Sequence, residues 1–110
     1  MRDSILISIK KLLGIEKDYE AFDTDITMHI NSVFMILNQL GVGPEKCFKI
    51  EDDLAVWSDF TEDSEEIEAV KSYIYHKVKM LFDPPSSSSV IEANKQIISE
   101  LEWRLNVQSE

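Results

Sequence analysis

The chain has 110 residues, 44% of them hydrophobic, with eleven Lys and Arg against twenty-one Asp and Glu and a formal net charge of −10. That length and apolar content suit one folded domain spanning 1–110 and exclude a disordered segment. The acidic balance excludes a typical nucleic-acid binder, because affinity for phosphates comes mainly from Lys and Arg.

The first predicted helix runs from about Asp3 to Leu13. Ile5, Ile9 and Leu12 fall on one face, with Leu6 and Leu13 beside them. Asp3 is expected to cap its start and Gly14 to end it. Asp3, Ser4, Ser8, Lys10 and Lys11 interrupt the apolar residues, so the segment reads as amphipathic rather than as a secretory core or a membrane span. A soluble protein made in the cytoplasm is the expectation.

The second helix follows Asp23. Ile26, Ile30, Val33, Leu37 and Leu40 make one continuous stripe. Met28, Phe34, Met35 and Ile36 widen it, which predicts packing on more than one side. Gly41, Gly43 and Pro44 end it.

Cys47 to Phe60 lacks a helical pattern. Phe48 and Ile50 alternate with Lys49 and Glu51, so a short hairpin or an ordered loop is expected. Trp57 and Phe60 either anchor this loop to the core or wait for a partner; anchoring is the commoner fate of large aromatic residues. Cys47, the one cysteine, is expected to be a partly buried thiol with no internal disulfide, as in a reducing compartment.

The acids concentrate around this loop. Residues 15–66 hold fourteen acids and three lysines, a local net of −11, and the rest of the chain sums to +1. From Glu51 to Glu66 the acids are Glu51, Asp52, Asp53, Asp59, Glu62, Asp63, Glu65 and Glu66, with no base among them. Charges this dense repel and must face water. They form a solvated loop or line a surface where repulsion of another polyanion is useful, and composition does not choose.

Asp63 and Glu66 predict a capping box at the start of the third helix. Ile67, Val70, Ile74, Val78 and Leu81 make its stripe, flanked by Tyr73, Met80 and Phe82. Asp83-Pro84-Pro85 stops it. After the polar link Ser86–Ser89, the fourth helix starts near Ser89, with Glu92 as a second capping-box partner. Ile91, Ile98, Leu101 and Leu105 share a face, Ile97 lies beside them, Trp103 falls off it, and 106–110 is expected to fray. The whole predicts an all-α fold: a small bundle of about four helices with a short non-helical, acidic insertion between the second and third.

Enzyme chemistry finds no support. Gly14, Gly41 and Gly43 form no phosphate-binding pattern. His29 and His76 have Val33 and Met80 at i+4, so neither begins a helical metal pair, and both are expected to be half-exposed. A calcium loop starting at Asp59 would need Gly where Ser64 stands and a ligand where Val70 stands; one starting at Asp23 has Met28 at the glycine position. No enzyme activity, cofactor or metal is expected.

Leu12-Leu13-Gly14-Ile15, the acidic 16–25 connection and the Ile26–Leu40 helix resemble the opening of the head–tail connector (adaptor) proteins of tailed siphophages. Val70 to Pro85, the serine-rich break and the Val90–Leu105 helix resemble the family's second half. The resemblance implies a non-enzymatic virion protein, a helical bundle with a longer loop between its second and third helices. Such proteins form a ring, commonly of about a dozen subunits, beneath the portal at the capsid vertex. The ring extends the DNA channel and docks the stopper or tail-completion protein. The implied partners are further copies of the chain, the portal and the stopper; duplex DNA passes without specific binding, and no membrane is involved. The implied location is the virion, with synthesis in the host bacterial cytoplasm.

An acidic channel lining suits that role, since each Lys or Arg contact to phosphate would hold the sliding duplex back. Glu51, Asp52, Asp53, Asp59, Glu62 and Asp63 are the channel or loop candidates. Trp57, Phe60, Tyr75, Trp103, Leu105 and Val107 are the candidates for contacts with neighbouring subunits or the portal, each with a core-packing alternative. The rival reading is a helical regulator, DNA-mimicking or antitoxin-like, that offers the same negative surface to a basic protein.

Overall fold

Five helices build the computed structural model, which describes residues 4–109: α1 (Ile5–Leu12), α2 (Asp23–Gln39), α3 (Trp57–Phe60), α4 (Ser64–Phe82) and α5 (Ser88–Ser109). The fold is all-α. It has one helix more than the periodicity predicts, because the single turn α3 lies inside the segment expected to be non-helical. No hairpin forms there among the described residues. The β-type pairing is an isolated bridge between Ser4 and Val56.

Helix α4 packs against α1, α2 and α5, and α1 also packs on α2. The shared core takes Ile5 and Ile9 from α1, then Ile26, Ile30, Val33 and Leu37 from α2. Val70, Tyr73, Ile74 and Val78 join from α4, and Ile98 and Leu105 from α5. The predicted stripes of α2 and α4 are therefore the buried faces, apart from their ends. Leu81 is 55% exposed, in an open groove between α4 and α5. Phe34 is buried and Ile36 packs against the core, so α2 packs on more than one side as its wide apolar band predicts, against α1, α4 and the loop aromatics, while Met28 and Met35 stay exposed.

Local chemistry sets the helix ends. Ser4 Oγ accepts from Ile7 N–H at 3.2 Å and caps α1; Asp3, the expected cap, lies outside the described residues. At the far end, Ile15 N–H donates to Lys10 O (2.8 Å) and Gly14 N–H to Lys11 O (3.1 Å). This is a Schellman ending, and Gly14 supplies the left-handed φ of 83° that it requires. The same pair of bonds closes α2, from Val42 and Gly41 to Leu37 and Asn38.

Asp63 Oδ1 accepts from the N–H groups of Glu65 (3.0 Å) and Glu66 (3.3 Å), which caps α4. The return arm of the predicted box does not form, because Asp63 N–H donates to Thr61 Oγ1 instead. Helix α5 starts at Ser88, which puts Ser89 inside it, with Ile91 N–H donating to Ser87 O. It continues to Ser109. Leu105 is buried beneath its last turns, and Asn106 Nδ2 donates to Leu40 O at 3.2 Å. Glu110 lies outside the described residues.

Candidate functional site

The acidic segment between α2 and α4 is the candidate site, and groups from α2 and α1 together with its own Phe60 hold it in place. Asn31 of α2 does the first part. Its Nδ2 donates to Ile50 O and its Oδ1 accepts from Ile50 N–H, both at 2.8 Å. One side chain thus occupies the two backbone groups a hairpin partner would have used. Helix α1 does the second. Ile5 N–H donates to Ala55 O (2.9 Å), and Trp57 Nε1 donates to Ser8 Oγ (3.2 Å).

Phe60 does the third. Its ring packs with Phe34 and Phe48, with centroids 5.1 and 5.5 Å away. Gly43 lies directly against that ring: a Cβ there would stand 2.5 Å from Phe60 Cε1 and Cζ, and the backbone φ is 89°. Only glycine meets both conditions.

Trp57 and Phe60 are only 3% and 5% exposed. They are anchors of this chain, so they present no free surface to a partner. Leu105, 1% exposed, is withdrawn for the same reason. Tyr75 is half-buried, whereas Trp103 and Val107 stand exposed on the outer side of α5, with Trp103 67% exposed.

All six acidic candidates are exposed, but they are not equivalent. Asp52 Oδ1 accepts from Leu54 N–H (2.9 Å) and Asp59 Oδ2 from Val56 N–H (3.0 Å), while Asp63 caps α4. These three shape the backbone. Glu51, Asp53 and Glu62 make no hydrogen bond or ion pair among the described residues and are free to act on their surroundings.

The acids also divide in space. Glu51, Asp52 and Asp53 face Glu20, Asp23, Thr24 and Thr27 across a shallow cleft beside Leu6. Asp59 to Glu66 follow the chain past Phe60, which sits under Phe34 and Gly43 toward the other end of α2. The run that is continuous in sequence is two negative patches in the fold.

Lys10 is the residue that sequence reasoning missed. It is 1% exposed, and its ammonium meets Asp23 Oδ1 at 2.7 Å, Tyr19 O at 2.7 Å and Lys17 O at 3.1 Å. Two hydrogen bonds to carbonyls and one ion pair satisfy the buried charge. Asp23 Oδ1 has no hydrogen-bond partner of good geometry, so the lysine contact serves it as an ion pair. This knot ties α1 and the 13–22 connection to the start of α2. No signal in the sequence separates Lys10 from the neighbouring exposed Lys11.

A second polar contact joins α4 to α5. Tyr73 O–H donates to Glu102 Oε2 at 2.6 Å. Burial first, and then the hydrogen bond and charge of Glu102, push the phenol well above its ordinary range. His29 and His76 are half-buried, and no cluster of potential metal ligands occurs among the described residues. Cys47 is exposed rather than partly buried. Among the described residues no helix is long and apolar enough to cross a membrane.

The phage connector protein family matches residues 5–110, from the first residue of α1 to the end of the chain. The chain belongs to that family. No curated protein and no solved structure matches it. Membership makes the chain a structural, head–tail connector protein of a bacteriophage virion, a role met through association with other virion proteins. In this phage connector the matched region includes all five helices and the acidic segment, so the anchored loop is part of what the family match covers.

Proposed function

We propose that this chain forms a ring of about a dozen copies beneath the portal, where it extends the DNA channel and docks the stopper or tail-completion protein. The family match over residues 5–110 carries the reading. The charge distribution supports it. The acidic segment is rigidly anchored yet exposes Glu51, Asp52, Asp53, Asp59, Glu62 and Asp63, and these turn toward the lumen or its rim. A negative wall repels the duplex, keeps it central and provides no phosphate contacts to slow it. Trp103 and Val107, on the open side of α5, face the portal or a neighbouring copy. The regulator reading draws on the same negative surface, but no observation favours it over the connector.

Electron microscopy of lysates from phage carrying an early stop codon in this gene tests the role. Separate tails and tailless heads are expected, and intact, DNA-filled, tailed particles would sink it. For the lining, Glu51→Lys with Glu62→Lys leaves the structural carboxylates alone and should impair DNA passage without unfolding the protein. Normal packaging and ejection in that variant would count against a lumenal position.

A further inference from the structure

Repulsion of DNA does not account for one residue of the acidic segment. Leu54 is 78% exposed, the most exposed large apolar side chain among the described residues, and it follows directly on Glu51, Asp52 and Asp53. Its presentation is built rather than slack. Asp52 Oδ1 holds Leu54 N–H, and Ile5 N–H holds the carbonyl of the next residue, Ala55. A DNA-repelling wall has no use for a projecting leucine.

Elsewhere the surface carries the complement. Between α4 and α5 lies a groove of about 360 Å³ lined by Lys77, Met80, Leu81, Lys95, Ile98 and Ser99. Its floor is apolar, and the exposed Leu81 is part of it. Its two charged walls are both lysines in a strongly acidic protein. Lys77 makes no ion pair among the described residues, and Lys95 only approaches Glu92 at 3.9 Å. The groove therefore offers an apolar seat between two underused positive charges.

We infer that Leu54 docks in the Lys77–Lys95 groove of a second copy of this chain, with Asp52 and Asp53 set against the two lysines. The inference rests on the ring reading and deepens it. It narrows the lumenal placement proposed above: Asp52, Asp53 and Leu54 meet the neighbouring copy, and the second acidic patch, Asp59 to Glu66, keeps the channel.

The placement of the two surfaces fits a chain of copies. The tip is carried beside α1 and α2, and the groove is formed by α4 and α5, so one copy can use both at once. Phe22 packs on Phe82 with ring centroids 5.1 Å apart, which puts the start of α2 and the end of α4 at one end of the molecule. The tip lies by Thr24 and Thr27 near that start, and the groove includes Met80 and Leu81 near that end. Knob and groove are thus at the same level on different flanks. Joining one to the other gives a heterologous contact, which propagates sideways and can close into a ring. Apolar contact at the centre with opposite charges at the edges is also the usual anatomy of a specific interface.

The test uses full-length protein supplied to phage with the stop codon. In a Cys47→Ser background, Asp53→Cys and Ser99→Cys are combined and the particles are treated with a short bis-maleimide. A ladder of multimers is expected, with neither single cysteine giving one. Leu54→Asp, a change at an exposed position, should weaken the ladder about tenfold or more, because it adds like charge and removes the knob. Infective particles with no ladder would overturn the inference. Dimers that never extend would overturn it too, because they would mean a face-to-face pair. If the chain is absent from particles whose heads and tails join, the connector reading fails instead. The same crosslink on concentrated purified protein then decides the docking surface alone: a ladder upholds it and none removes it.

Discussion

The segment from Gly41 to Asp63 and helix α5 differ in the opposite way from their appearance. The first has almost no regular structure, yet Asn31, Trp57, Phe60 and Gly43 fix it at several points along its length. The second is the longest helix among the described residues, yet only Ile98 and Leu105 of it are buried, with Leu101 packed beside them and help from Tyr73–Glu102 and Asn106. Regular hydrogen bonding within an element says little about how firmly that element is held to the rest. Tertiary anchors decide that. For a connector the arrangement is useful. Under the proposed role, the acidic surface is pinned and the helix with exposed apolar residues is the one offered to partners.

The largest expected effect lies in the pinned segment. Phe60→Ala empties the aromatic triangle and should destabilise the protein by about 3–5 kcal/mol, read as a fall in the urea midpoint. A loss no greater than that of an exposed substitution would show the segment to be loosely held.

Next come two glycines that share a left-handed φ but not their surroundings. Gly43→Ala adds backbone strain and a clash with Phe60, about 2–4 kcal/mol in all. Gly14 has open space around it, so Gly14→Ala should cost about 1 kcal/mol from strain alone. Equal losses would mean that the Phe60 ring yields freely.

Asn31→Ala leaves the backbone of Ile50 without its partners and should cost about 1–3 kcal/mol. Hydrogen exchange should quicken at Ile50 more than in α5, and unchanged exchange at Ile50 would contradict the clamp.

The smallest effects belong to α5. Trp103→Ala should change stability by less than about 0.5 kcal/mol while reducing assembly with partners. The Tyr73–Glu102 contact should show in alkali. The folded phenol holds its proton to higher pH than the unfolded one, so its contribution is intact below about pH 10 and is lost as pH rises beyond that. Tyr73→Phe should flatten that alkaline fall in Tm, and an unchanged profile would remove the contact from the account.

The helices were legible in the sequence where the information is local. The stripes of α2 and α4 follow from spacing, Asp63 caps α4 across two or three residues, and Gly14 and Pro84 mark endings at short range. The anchors were not legible, because each joins residues distant in the chain. Asn31 meets Ile50, Trp57 meets Ser8 and Asn106 meets Leu40. Lys10 looks like any lysine on an amphipathic helix until the 13–22 connection folds over it. Exposure of Leu81, Met28 and Met35 was hidden for a related reason. Periodicity marks a face but not how far a neighbour extends to cover it. The density of acids was visible at once, yet its division into two patches depends on the path of the chain past Phe60.

The most direct measurement is a cryo-electron microscopy map of the head–tail junction in intact particles. The account predicts a closed ring of this chain under the portal, with Asp59 to Glu66 toward the DNA channel and each Leu54 against the α4–α5 groove of the next copy. A junction without this chain, or a ring that turns Lys77 and Lys95 toward the DNA, would contradict it.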